Sequence, residues 1–356
     1  MEIIRLGDRG DAVLDVQRRL GALGYSFPPD ERSGVFGPAT DQAVRAFQQK
    51  RGLLVDGLVG VDTWRELVEA SWRLGDRVLY LRAPHVRGDD VRDLQDRLAT
   101  LGFDVGRVDG IFGPRTQRAV QEFQRNYGIP ADGIVAVNSV RALAGLPTIA
   151  GDVPASVIRE REALRARGAT FPGIRIVLDP AHGPSDPGNI GPGGAREADI
   201  CFSLVRQIEA GLAAAGAQVF LTRREDTEPP HVERVGLANA LDADIVLSLH
   251  LGGGEARANG AAAYYFGHER FRSDGGARLA ELLIEHVCKL GILDARTHAK
   301  TFPILRETKM TAVVFEPAYV TNADEERLIT DIAFQGRLAA AVVEAIQAFV
   351  REPSVV

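Results

Sequence analysis

Four residues in the second half of the chain have the types that a hydrolytic metal centre needs. His182 stands in Asp179-Pro180-Ala181-His182-Gly183, just beyond an apolar run. His250 ends a second run, in Ser248-Leu249-His250, and Glu316 ends another, in Val313-Val314-Phe315-Glu316. Glu197 opens a helical pattern that follows the first run. Two imidazoles and one carboxylate suit zinc and leave a fourth position for water. The ion lowers the pKa of that water toward about 7 and polarises a carbonyl. A further carboxylate can then take the proton and deliver it to a leaving amine. Such a set hydrolyses an amide bond. Plainer uses exist: a strand-end His often serves hydrogen bonding alone, and a Glu at a helix start answers the macrodipole. The carboxylate in Val-Val-Phe-Glu resists a plain reading, because a charge among apolar residues is costly without a cation.

The pattern around these residues predicts how they meet. Apolar runs of strand length at 174–179, 218–222, 245–250, 261–266 and 313–316 alternate with helical patterns. Between the first two, Ile200, Leu204, Ile208 and Leu212 recur at every fourth place, one face of a helix. Short Val/Ile/Leu-rich strands separated by helices predict an α/β domain, a mostly parallel sheet with helices on both faces. Sites in such sheets form at the carboxyl ends of the strands. Residues 338–350 read as a closing amphipathic helix interrupted by Glu344, and no stretch approaches the ~20 apolar residues that span a bilayer.

The first 145 or so residues are a repeat. Val13, Val16, Leu20 and Leu23 recur as Val91, Leu94, Leu98 and Leu101, and Gln17 as Gln95. Gly34-Val35-Phe36-Gly37-Pro38 becomes Gly110-Ile111-Phe112-Gly113-Pro114. Thr40, Ala43, Val44, Phe47 and Gln48 become Thr116, Ala119, Val120, Phe123 and Gln124, and Asp56-Gly57 becomes Asp132-Gly133. The first copy has two extra residues in the loop at 27–32. Each copy predicts three short helices joined by glycine turns, with Pro38 and Pro114 at helix starts. The domains expected are 1–72 and 78–146 for the repeats, a linker at 147–173 with a charged segment at 156–167, and an α/β domain at 174–352.

Composition bounds the partners. Lys+Arg 42 against Asp+Glu 48 gives a net charge of −6, which argues against nucleic acid. Cys201 and Cys288 are the two cysteines and form no zinc-ribbon spacing or disulfide framework. The charged start, with Glu2, Arg5, Asp8 and Arg9, shows no signal peptide, so a cytoplasmic location is expected.

Both repeats resemble the peptidoglycan-binding module found in tandem in cell-wall hydrolases. The first departs from it with Ser33 before Gly34, the second with Ala136 where Gly60 stands in copy one. The second half carries Val177 through Gly183, Asp186-Pro187-Gly188, Ile190-Gly191 and Glu197-Ala198-Asp199-Ile200. It continues with Leu221-Thr222-Arg223, Arg234, Ala238-Asn239, Ala243-Asp244, Ser248-Leu249-His250, Leu305-Arg306, and Glu316 with Thr321-Asn322. In order and spacing this resembles the zinc-dependent N-acetylmuramoyl-L-alanine amidases of the amidase-3 type. The resemblance implies that His182, Glu197 and His250 hold Zn2+ and that Glu316 is the catalytic carboxylate. The bond cut would join the lactyl group of N-acetylmuramic acid to L-alanine of the stem peptide, in peptidoglycan or a muropeptide. Ala181 and Pro184 depart by replacing glycines. Leu251-Gly252-Gly253-Gly254 removes an Asn from the rim, and Pro317 restricts Glu316 to extended backbone. The layout resembles the actinobacterial CwlM-type group, which implies an alternative: a non-catalytic cytoplasmic regulator that binds an enzyme of peptidoglycan-precursor synthesis. His231 and His298 are further possible neighbours of the site.

Overall fold

The computed structural model describes residues 3–31, 34–146, 171–268 and 271–352. Two compact units make up the chain, one holding both repeats and the other the α/β domain. The linker with its charged segment at 156–167 lies outside the described residues.

Each repeat folds as three helices. The first has α1 (Asp11–Ala22), α2 (Pro38–Arg51) and α3 (Val61–Glu69). The second has α4 (Asp89–Thr100), α5 (Pro114–Tyr127) and α6 (Val137–Ala144). Val13, Val16 and Leu20 enter the first core with Phe36, Val44, Phe47 and Leu67. Leu23 does not: α1 ends at Ala22, so Leu23 leaves the apolar face and is exposed. Arg51 joins the repeats, pairing with Glu66 at 2.7 Å and with Asp89 at 2.8 Å.

The glutamines of the repeat are its polar core. Gln48 Nε2 lies 2.7 Å from Asp56 Oδ1 and 2.9 Å from the Leu58 carbonyl, while Gln48 Oε1 accepts from the Gly57 amide. Gln124 does the same with Asp132, Ile134 and Gly133. Gln95 does so with Asp109, Ile111 and Gly110. Each repeat therefore contains the same turn twice. In the first turn, where Ser33 replaces Asp, the extra loop residues bring in Glu31. Its carboxylate accepts from the amides of Ala39 and Thr40 at the start of α2, and its carbonyl accepts from Gln17.

The second unit begins with β1 (Arg175–Pro180), α7 (Glu197–Ala214), β2 (Gln218–Leu221), α8 (His231–Ala240) and β3 (Ile245–Leu249). Then come β4 (Ala261–His268), β5 (Phe271–Arg272), α9 (Asp274–Cys288), β6 (Asp294–Lys300) and α10 (Pro303–Glu307). It closes with β7 (Thr311–Glu316), α11 (Ala323–Thr330) and α12 (Ile332–Arg351). The sheet runs β2-β1-β3-β7-β4, with β6 on the far side of β4 and β5 forming a hairpin with β4. Strands β1, β2, β3 and β7 are parallel, but β4 runs antiparallel to β7. Ile176, Leu178, Ile245, Leu247 and Val313 share a core with the buried faces of α7, α9 and α12. Their neighbours Val177, Val246 and Val314 are buried on the other face. The α10 helix packs there against α8, β7 and β4.

The closing helix is longer than the 13 residues expected. By length and composition α12 could cross a bilayer, unlike the expectation that no stretch comes close. Its Leu338, Val342, Ala345 and Ile346 are buried in the core shared with α7 and α9, as in a core helix.

The repeated turn makes the buried amide its stability determinant. Gln48→Leu strands the Gly57 amide and the Leu58 carbonyl, at about 1–3 kcal/mol for each stranded group. Calorimetry is expected to show a lowered transition for the first unit, and almost no change for Gln49→Leu on the exposed side of the same helix. Equal effects from the two substitutions would contradict the assignment.

Candidate metal centre

Strand register brings the expected residues together. Pro180 lies opposite Leu249, and Leu249 opposite Phe315, so β1, β3 and β7 end side by side. His182, His250 and Glu316 sit at those ends, and Glu197 enters from the first turn of α7. His182, Glu197 and His250 each direct one ligand atom into a group whose members lie within 4.8 Å of one another. Glu197 Oε1 is 3.1 Å from His182 Nε2 and 3.0 Å from His250 Nδ1. Tetrahedral ligands around zinc at about 2.0–2.1 Å stand roughly 3.3 Å apart, close to the two spacings from Glu197 to the imidazoles.

Each ligand is held from behind. The Glu197 carboxylate is fully buried and accepts from the Leu251 amide at 3.0 Å and from the backbone and side chain of Asn189 at 2.8 Å each. His182 Nδ1 faces Asp186 at 2.6 Å, which leaves Nε2 toward the group, as metal-bound histidines require. Gly188 passes so close that a Cβ there would lie 2.6 Å from Glu197 Oε2 and 2.7 Å from His182 Nε2. The backbone has room for the two ligands and nothing more. Donor chemistry, backing groups and this close approach all fit zinc.

His182 itself is strained, with φ of 58° in the left-handed region. Two arginines hold that loop. Arg234 donates to the carbonyls of Pro180 and His182 at 2.8 and 2.6 Å and pairs with buried Asp179 at 2.9 Å. Arg223 donates to the carbonyls of Pro180, Ala181 and Ala198. Asp179 also accepts from Ser248 and Thr222. Burial alone would raise the Asp179 carboxyl, but Arg234 and the two hydroxyls hold it below its usual value.

The charges are tuned by the same contacts. Burial disfavours a charged His182, yet hydrogen bonds and charge from Glu197 and Asp186 push its pKa up to about 9. Glu197 is likewise penalised by burial, but the two imidazoles hold it well below the carboxylate range. Glu316 goes the other way: burial raises it above the ordinary glutamate value, helped by the charge of Glu197 and opposed by His250, Tyr264 and Lys300.

The site includes groups that the motifs did not single out. Tyr264 donates to Glu316 Oε2 at 2.9 Å, and Asn189 donates to Glu197. Of the two histidines named as neighbours, His298 stacks on Tyr264 with ring centroids 5.7 Å apart. His231 begins α8 and is not in the ligand group. The departures from the family pattern have local causes. A Cβ on Gly252 would meet the Tyr319 ring at 2.6 Å, so that ring stands where the rim Asn is missing. Gly253 similarly makes way for Asn189. Glu316 is the last residue of β7, already in the extended backbone that Pro317 demands.

Arg234→Met keeps volume and removes the clamp. Leaving the Asp179 charge buried alone costs about 3–5 kcal/mol, so the α/β unit's calorimetric transition should fall while that of the repeats stays. Zinc affinity, measured by chelator competition, should drop about 10–100-fold. A folded variant with unchanged zinc affinity would show that the clamp does not set the ligand loop.

Comparison with known proteins gives the family of the chain. A family model described as N-acetylmuramoyl-L-alanine amidase matches residues 176–348, and a peptidoglycan binding domain model matches 9–67 and 87–143. The chain is 39% identical over 363 aligned positions to N-acetylmuramoyl-L-alanine amidase CwlM of Mycobacterium tuberculosis, covering 97% of this chain and 89% of that protein. It is 35% identical over 152 positions to amidase CwlL of Bacillus licheniformis, covering 37% and 42%. The solved amidase AmiC2 of Nostoc punctiforme superposes with a TM-score of 0.47 at 26% identity, over 50% of this chain and 98% of that one. With two peptidoglycan-binding repeats ahead of its α/β domain, the chain belongs to the N-acetylmuramoyl-L-alanine amidase family.

Proposed function

We propose that the chain is a zinc-dependent amidase that hydrolyses the bond between the lactyl group of N-acetylmuramic acid and L-alanine of the stem peptide. The observation that carries this reading is the triangle of His182, Glu197 and His250 donors, with the half-buried carboxylate of Glu316 at the end of the neighbouring strand. Zinc held by His182 Nε2, Glu197 Oε1 and His250 Nδ1 would polarise the scissile carbonyl and make a bound water acidic at neutral pH.

The chain's own residues then manage protons. Glu316 removes one proton from the attacking water and gives it to the nitrogen of L-alanine as the C–N bond breaks. The second water proton also passes to that nitrogen, so the products are the lactyl carboxylate and an alanyl ammonium. A carboxylate can serve as base in the first half of that task and as acid in the second. The repeats, in the same chain, raise the local concentration of the domain on peptidoglycan.

With saturating zinc, the chain is expected to release an alanyl peptide from N-acetylmuramoyl-L-alanyl-D-isoglutamine. Glu316→Gln should lower kcat by about 10²–10⁴-fold. The base must be ionised, so kcat/KM falls as pH drops through the raised Glu316 pKa. Full zinc occupancy without Glu316-dependent release would overturn the enzyme reading and favour a non-catalytic regulator built on the same fold.

A further inference from the structure

Glu316 is held by a residue on β4, the strand that pairs antiparallel with β7. In the antiparallel β4–β7 pair, Ala262 lies opposite Glu316 and Tyr264 opposite Val314. Opposite residues share a face of the sheet, so Tyr264 is the diagonal neighbour of Glu316, within reach of a long side chain. The small Ala262 leaves that diagonal open. Tyr264 uses it: its hydroxyl donates to Glu316 Oε2 at 2.9 Å. The ring is fixed on its other sides, stacked on His298 at 5.7 Å and tilted against Phe302 at 5.4 Å. His298 is itself the register partner of Tyr264 on β6. A ring held by His298 and Phe302 thus aims its hydroxyl at one oxygen of the carboxylate.

We propose that Tyr264 is the positioning residue for Glu316, holding Oε2 so that Oε1 exchanges the proton with water and leaving amine. This rests on the amidase reading above. A carboxylate free to rotate would offer either oxygen in many orientations, and the rate would fall with the fraction correctly placed. Tyr264 touches neither metal nor substrate in this role, so its loss lowers kcat and spares KM.

The test is a mutant cycle on zinc-loaded protein with N-acetylmuramoyl-L-alanyl-D-isoglutamine. Tyr264→Phe keeps the ring and its stack on His298. It is expected to lower kcat about 10–100-fold with KM within about twofold. In the Glu316→Gln background it should cause no further loss, because the two act as one unit. Unchanged kcat in Tyr264→Phe, or equal losses in both backgrounds, overturns the proposal. If Tyr264→Phe fails to fold, Tyr264→Gln and Tyr264→Leu serve instead: the Gln variant should be several-fold faster, and equal rates overturn the proposal. A readout independent of turnover uses metal-free protein with labelled tyrosine rings. The Tyr264 hydroxyl proton should exchange with water at least about tenfold faster in Glu316→Ala, and an equal rate overturns the contact. Release that survives Glu316→Gln, or no release by the parent chain, defeats the amidase reading and this role with it. Release lost in Glu316→Gln but kept in Tyr264→Phe defeats only the role of Tyr264.

Discussion

The ligand loop depends on a buried ion pair. Asp179 lies at the end of β1 with its charge matched by Arg234 and by the hydroxyls of Ser248 and Thr222. An uncompensated carboxylate there would be far costlier than the pair. Once Arg234 is fixed by Asp179, its remaining donors reach the carbonyls of Pro180 and His182. Those bonds hold His182 in a left-handed backbone that an isolated chain would avoid. The ring then meets Glu197 and His250. The chain thus spends an interior charge on aiming a ligand, and strain sits at the residue whose position matters most.

The sheet divides the remaining work. Its parallel half, β1, β3 and β7, sets the ends of three strands side by side and so gathers His182, His250 and Glu316. Its reversed strand, β4, contributes Tyr264 from mid-strand, on the diagonal from Glu316. In the repeats a different economy holds. Short helices cannot bury many apolar side chains, and a glutamine satisfied on both sides of its amide ties each turn to its helix.

Much of this was legible in the sequence. The apolar runs ending in His250 and Glu316 announced strands, because fully buried strands read as continuous Val/Ile/Leu. The period of Ile200, Leu204, Ile208 and Leu212 announced α7. Strand β6 was not legible, since Asp-Ala-Arg-Thr-His-Ala-Lys lies at an edge and half of its residues face solvent. The reversal of β4 was also hidden: direction is set by how the chain returns to the sheet, not by the composition of Ala261–His268. The ligands announced themselves by type, but their backing did not. Asn189 and Tyr264 are common residues whose contacts exist only once the loop and register bring them in, whereas Asp186 lay in a motif without its contact to His182 being readable. Glu31 shows the same limit, replacing a lost turn Asp from a loop that the repeat pattern treated as an insertion.

The central claim is that His182, Glu197 and His250 form one zinc site. X-ray absorption at the zinc edge of the loaded chain tests it most directly. One zinc per chain is predicted, with two imidazoles at about 2.0–2.1 Å, oxygen ligands completing the shell, and the imidazole scattering lost in His182→Ala/His250→Ala. A sulfur shell at about 2.3 Å, or imidazole scattering that survives the double substitution, would contradict it.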